Sequence, residues 1–443
     1  MDLLIEGGTI VTCDAEDRIL TGDLAVKDGV IVAIGPRAQA ALPGPFRVLD
    51  ARGSAVIPGL VQAHVHLVQA LFRGMADDLP LLEWLRQYIW PLEAAHDEKS
   101  LRASAELGLA EMLRAGTTCI LDMGTTHGHD VIFDACARSG IRAVSGKAMM
   151  DIGDGVPRRL RETTRASLRE SERLARAWTG KAGGRLGYAL APRFILSCSE
   201  ALVRGAAAMA PHVGALLHTH AAEHADERAA VRNMLGDEDV AILASWGFTG
   251  PHAVLAHGVQ LEAHEIEGLA RAGTKVVHCP SANLKLGSGI ARMHDVRRAG
   301  VVVGLGADGA PCNNNLDPFV EMRHAALLAK AKTGTTTLPA REVLRMATID
   351  GARVLGLDHL TGSLERGKRA DLAIVSLDDL HVAPATDVTS AIVYACQSRD
   401  VRHVVVDGNL VVHHGEVLTL DASRVAARAR VEARRIGKAA GAL

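Results

Sequence analysis

Three His-x-His pairs occur in this chain: His64/His66, His127/His129 and His218/His220. Twenty histidines in 443 positions produce about one such pair by chance, so the spacing alone carries little. Context separates the three. Strand residues two apart point to one face, and His64 and His66 close an apolar β-type run, which puts both imidazoles on one side of a strand's carboxyl end. That is metal-ligand geometry. His127 and His129 sit in a Gly-rich polar loop and read as ordinary polar residues. His220 ends another apolar run with Glu223 just beyond it, His257 ends a third and Asp308 a fourth. Three neutral imidazoles and one carboxylate suit Zn²⁺ or Fe²⁺, with a position left for a water whose pKa a zinc site lowers to about 7. His218 shares the face of His220 one layer deeper, where orienting a ligand is its expected job.

The elements that must position these residues follow from periodicity. Apolar β-type runs ending at His64-Val65-His66, Cys119 to Asp122, Ala143 to Ser145, Tyr188 to Arg193, Leu216 to His220, Val254 to His257, Lys275 to His278 and Val301 to Asp308 alternate with amphipathic helical patterns. Examples of the latter are Leu101 to Leu113, Ala166 to Trp178 and Ala263 to Arg271. Eight βα units close into an α/β fold of the (β/α)8 TIM-barrel type, whose active sites lie at the carboxyl ends of the strands. The histidines fall at those ends. Short strands with Gly-rich turns fill both chain ends, among them Leu3 to Glu6, Thr9 to Thr12, Asp371 to Ser376 and Val401 to Val406. Residues 1–54 and 361–420 are therefore expected to pair into a composite β-sandwich domain, around a barrel spanning 55–360. The Arg-rich tail, 421–443, reads as a solvated helix, as does the Arg158, Arg159, Arg161 charge run.

Composition narrows the partners. Lys+Arg number 49 against 51 Asp+Glu, a net charge of -2, with 48% hydrophobic residues. Such a balance offers no basic face for nucleic acid or an anionic membrane, and no apolar run is long enough to span one. The start, MDLLIEGGTIVTCD, lacks the features of a secretory leader, and the seven scattered cysteines form no CxxC pair. A reducing cytoplasm and a small-molecule partner are expected.

In their order and spacing, PGLVQAHVH (58–66), HTHAAE (218–223), LAHG (255–258), HCPSANLKLGSG (278–289) and GADGAPCNNNLD (306–317) resemble the amidohydrolase superfamily. The likeness is to its mononuclear branch of aminohydrolases and chlorohydrolases acting on purine, pyrimidine and triazine rings. It implies one divalent metal per chain, Zn²⁺ first and Fe²⁺ second, held by His64, His66, His220 and Asp308. It also implies catalytic roles: Asp308 takes a proton from the attacking water, His257 orients it, and Glu223 carries a proton to a ring nitrogen so that ammonia leaves. A homo-oligomer is a common state of such proteins. The branch that uses two metals bridged by a carboxylated lysine at the end of strand four is disfavoured, because Tyr188 to Arg193 has no lysine and Lys147 follows strand three.

Gln69 to His96 holds Phe72, Trp84, Tyr88 and Trp90, four of the chain's 13 aromatics (Trp 4, Tyr 3, Phe 6), and reads as a wall over a flat ligand. It resembles the deaminases of S-adenosylhomocysteine, methylthioadenosine and 5'-deoxyadenosine. That likeness makes Glu93, 27 residues past His66, a grip on the ribose hydroxyls, with Trp90 beside it. Arg193 and Gln69 instead resemble guanine deaminases, where Arg and Gln contact the base. Guanine, 8-oxoguanine and s-triazine substrates therefore stand as the alternative. Ser281, Asn283 and Asn313 to Asn315 are read as turn residues near the metal face, and Asp371 as structural.

Overall fold

The computed structural model describes residues 2–443. Eight parallel strands form the inner ring: β1 (Leu60–Val65), β2 (Thr117–Met123), β3 (Arg142–Gly146), β4 (Leu186–Pro192), β5 (Leu216–Ala221), β6 (Ala253–His257), β7 (Lys275–His278) and β8 (Val303–Leu305). Each pairs with the next in chain order, which is the expected (β/α)8 barrel. The ring closes at the site itself. Val65 bridges Asp308 in parallel, and the Asp308 N–H donates to the His64 carbonyl at 3.0 Å. β8 is shorter than the Val301 to Asp308 run because the chain then passes hard against β1. A Cβ at Gly306 would lie 2.6 Å from the His64 carbonyl oxygen, so only glycine fits there.

Both chain ends build one nine-stranded sheet outside the barrel. Leu3 to Glu6 and Thr9 to Thr12, expected as two strands, are one strand, Asp2–Val11, broken by a bulge at which Gly7 takes φ 74°. Ser54–Pro58 pairs parallel with Asp2–Val11 and antiparallel with Leu372–Ser376, stitching the two chain ends together. The sheet therefore runs to Pro58, four residues past the expected edge at 54. Apolar side chains of both ends meet in it, Ile5, Ile10, Leu24 and Val56 against Leu372, Ile374 and Val405.

A buried ion pair ties this sheet to the barrel. Arg142 at the start of β3 donates to both oxygens of Asp371, at 2.8 and 3.2 Å, and the Asp407 N–H donates to the same carboxylate at 2.6 Å. Both side chains are almost fully buried. Asp371→Ala leaves the buried guanidinium only its 3.3 Å contact with Asp407 and should cost about 3–5 kcal/mol in urea unfolding. A change within about 0.5 kcal/mol would mean that water reaches the pair.

Two expectations for charged helices are corrected. Arg158, Arg159 and Arg161 lie in an irregular stretch before the helix Thr164–Trp178, where Arg159 Nη2 donates to the His96 carbonyl at 2.8 Å. The tail helix, Ala422–Ala439, packs against Glu98–Arg114 by burying Val425, Ala429 and Ile436, and Arg435 pairs with Asp97 at 2.7 Å. Arg424, Arg430 and Arg434 mark its outer face, while Arg428 pairs with the buried Glu106. No helix among the described residues is long and apolar enough to cross a membrane.

Candidate metal centre and substrate cleft

At the carboxyl ends of β1, β5, β6 and β8 the side chains of His64, His66, His220, His257 and Asp308 converge, all buried or nearly so. Asp308 Oδ1 lies 3.3 Å from both His64 Nε2 and His66 Nε2, and His66 Nε2 lies 3.2 Å from His220 Nε2. His257 Nε2 stands 4.0 Å from Asp308 Oδ2 and 3.5 Å from Glu223 Oε2. Two residues hold left-handed backbone here, His257 at φ 77° and Asp308 at φ 62°. Non-glycine residues pay for that conformation, and such strain collects where side-chain aim matters.

Every one of the four imidazoles is tethered through Nδ1. His64 Nδ1 meets His218 Nε2 at 2.9 Å, His66 Nδ1 the Met123 carbonyl at 2.7 Å, His220 Nδ1 the Arg193 carbonyl at 2.6 Å, and His257 Nδ1 the Asn283 Oδ1 at 2.9 Å. A carbonyl partner requires Nδ1 to carry the proton, which leaves the Nε2 lone pair facing inward. His64 Nε2 and His257 Nε2 have no hydrogen-bond partner although both are buried. Orphaned lone pairs around one carboxylate are what a divalent cation would satisfy, so the donor set fits such an ion.

Electrostatics agree with the geometry. Burial pushes His64 down to about 4 and holds His220 and His218 well below the usual imidazole range, with His257 also lowered. Neutral imidazoles are the ligand form. Burial opposes the Asp308 anion, yet its close contacts with His64 and His66 bring that carboxyl well below its ordinary value. Glu223 moves the other way, raised well above the carboxylate range by burial and by the neighbouring Asp308, which favours its protonated form.

A narrow cleft opens over the cluster, lined by Gln69, Leu81, Trp84, Leu85, Arg193 and Phe194 together with His66, His220, Glu223, His257 and Asp308. Gln69 and Arg193 thus reach it. Glu93 lies just behind them: Gln69 Nε2 donates to its Oε1 at 2.8 Å and Arg193 Nη1 to its Oε2 at 2.6 Å. Trp90 is buried beyond the lining, its ring 6.5 Å from that of Phe194, and Trp84 takes the wall position expected of it. The aromatic segment itself is a run of helix, Leu81–Trp84, Leu85–Ile89 and Trp90–Ala94, whose middle turn is π-helical.

The remaining candidates do other work. His127 Nε2 bonds the Arg159 carbonyl and His129 Nε2 bonds Ser145 Oγ. Lys147 is buried against Glu162 and Ser167, which removes it from the histidine cluster. Ser281 and Asn313 both donate to the buried carboxylate of Glu321. Asn283, read as a turn residue, is the His257 anchor. Cys312 was not singled out at all, and its thiol donates to Asp308 Oδ2 at 3.2 Å. Helical spacing of four residues within GADGAPC was the one signal that could have found it.

Residues 55–411 match the model of the amidohydrolase family. A 5'-deoxyadenosine deaminase of Methanosarcina acetivorans is 38% identical over 434 residues, 98% of each chain. A 5-methylthioadenosine/S-adenosylhomocysteine deaminase of Haloarcula marismortui is 38% identical over 445 residues, 99% of each. Among solved structures, an adenosine deaminase from Xanthomonas campestris with bound zinc superposes with a TM-score of 0.93 at 35% identity, covering 99% of both chains.

Proposed function

This chain belongs to the amidohydrolase family, and on that premise we propose that it deaminates a 5'-modified adenosine of the 5'-deoxyadenosine, methylthioadenosine or S-adenosylhomocysteine kind. It is a hydrolase acting on C–N bonds. The reading rests chiefly on one observation: a buried carboxylate, Glu93, is held by Gln69 and Arg193 just behind the lining of the cleft that contains the His/Asp cluster. Each oxygen of Glu93 uses one acceptor direction for those donors and keeps another, so the vicinal hydroxyls of a ribose can each donate one hydrogen bond to it.

His64, His66, His220 and Asp308 would hold one divalent ion, zinc by preference over Fe²⁺ given three imidazoles and a carboxylate. When bound, the ion supplies Lewis-acid chemistry that makes water reactive at neutral pH. Asp308, kept anionic by its histidine contacts, accepts the proton that the attacking water loses. His257 aims that water through Nε2, its ring fixed by Asn283. Glu223, protonated and within 3.5 Å of His257, delivers a proton to the ring nitrogen beside the amino-bearing carbon. Water adds to that carbon, Asp308 passes the proton it took to the amino group, the C–N bond breaks to release ammonia, and the hydroxyl proton of the adduct returns to Glu223.

Gln69 and Arg193 facing the cleft favour a second reading, deamination of a free base such as guanine or 8-oxoguanine, or hydrolysis of an s-triazine, with those two side chains contacting the ring. Glu93→Gln separates the two. Loss of a charged acceptor for the ribose should raise KM for nucleosides about tenfold or more relative to free bases. An equal effect on both classes would remove Glu93 from ribose recognition. The seven cysteines are all free and buried, in keeping with a reducing cytoplasm. Every donor of the site comes from one chain, so the proposed chemistry holds in a monomer or in the homo-oligomer common among such enzymes.

A further inference from the structure

The outer part of the terminal sheet carries a second histidine cluster that the barrel chemistry does not use. His403, in the strand Val401–Val406, and His413, at the end of Asn409–His413, are direct partners across an antiparallel pair. Their side chains therefore stand next to each other on one face. His414 follows in the turn with φ 49°, which brings its ring back over the pair. Ring centroids lie 4.8 Å apart for His403 and His413, 4.7 Å for His403 and His414, and 4.3 Å for His413 and His414. One nitrogen from each ring lies within 4.8 Å of the other two.

The arrangement of lone pairs is close to that of a ligand set. His403 Nδ1 accepts from the His414 backbone N–H at 3.4 Å and faces His413 Nδ1 at 3.0 Å. It is therefore the unprotonated nitrogen of its ring. Two tetrahedral zinc–nitrogen bonds of about 2.0–2.1 Å set their nitrogens about 3.3 Å apart, only a few tenths of an ångström from the spacing found here. His403 is 3% exposed and fixed in the sheet, whereas His413 is half-buried and His414 exposed, so one donor is anchored and two can adjust from the solvent side. Burial and the adjoining histidines, with Arg402 and Arg47, push His403 down to about 4, and His413 is lowered as well.

We propose that His403, His413 and His414 form a second metal site, taking a borderline divalent ion such as Zn²⁺, Ni²⁺ or Cu²⁺ through three imidazoles and leaving the remaining positions to water. Such an ion would clamp the hairpin of Val401–Val406 and Asn409–His413. Arg47 Nη2 now donates to His413 Nε2 at 3.3 Å, which puts the His413 proton on Nδ1, between the rings. Entry of the ion moves that proton to Nε2 and turns the exposed Arg47 aside. The Nδ1–H bond breaks and an Nε2–H bond forms by exchange with solvent, so the ring stays neutral and no net proton is lost.

The test is zinc content of the tag-free full-length protein by mass spectrometry, after saturation and dialysis against metal-free buffer. About two ions per chain are expected for the wild type, one for His413→Asn/His414→Asn, and one for His64→Ala/His66→Ala. One ion per chain in the wild type overturns the proposal, as do two in the His413/His414 variant. A second readout avoids the barrel site altogether: Cu²⁺ added to the His64→Ala/His66→Ala protein should give an electron paramagnetic resonance signal with imidazole nitrogen couplings, lost on adding His414→Asn. Persistence of the couplings in that variant also overturns it.

Discussion

Glu223→Gln should lower kcat by about 10²–10⁴-fold while the metal content stays at the wild-type value. Glutamine keeps the shape and the hydrogen-bonding reach of the side chain but has no carboxyl proton to give. The carboxyl is buried, 3.5 Å from His257 Nε2, and burial together with Asp308 favours its protonated form. Its backbone is fixed independently, since the Glu223 N–H donates to Glu227 Oε2 at 3.1 Å, so the substitution should leave the turn intact. Paired measurement of kcat and bound metal decides the point. Near-normal turnover would take Glu223 out of the proton path, and loss of metal in step with activity would make it a ligand instead.

Arg193→Met should destabilise the fold by about 3–5 kcal/mol, because it leaves the Glu93 carboxylate buried with only Gln69 as donor. The two side chains of the pair are 4% and 3% exposed, so the carboxylate left behind is poorly solvated. The Arg193 backbone carbonyl survives the substitution, and it is this group that anchors His220 Nδ1. Metal content should therefore hold while stability falls. Adding Glu93→Gln removes the unpaired charge and should restore most of the loss, a coupling that a double-mutant cycle in urea reads directly. A single-variant cost below about 1 kcal/mol would mean that the pair is hydrated in solution.

The parts of this molecule that were legible in the sequence are those encoded locally. Strand alternation put His64 with His66, and the apolar runs fixed which residues end β5, β6 and β8, so the converging donors could be named before their coordinates were known. The residues that aim those donors were harder to see. Asn283 meets His257 across 26 positions and His218 meets His64 across 154, contacts set by barrel closure and written in no local pattern. Glu93 and Arg193, 100 positions apart, illustrate the same limit: each was read as a contact to substrate, and their ion pair with one another came only from tertiary packing. The bulge at Gly7 was likewise invisible to a period-two reading, which took the interruption as a strand end.

The central claim is that Glu93, Gln69 and Arg193 turn a family deamination site toward a 5'-modified adenosine. Its most direct test is ammonia release by the zinc-loaded protein from 5'-deoxyadenosine, methylthioadenosine, S-adenosylhomocysteine, adenosine, guanine, 8-oxoguanine and an aminotriazine, ranked by kcat/KM. The account predicts that one of the three 5'-modified adenosines leads and that free bases trail by at least tenfold. A lead for guanine, 8-oxoguanine or the triazine would contradict it and give Gln69 and Arg193 to the ring.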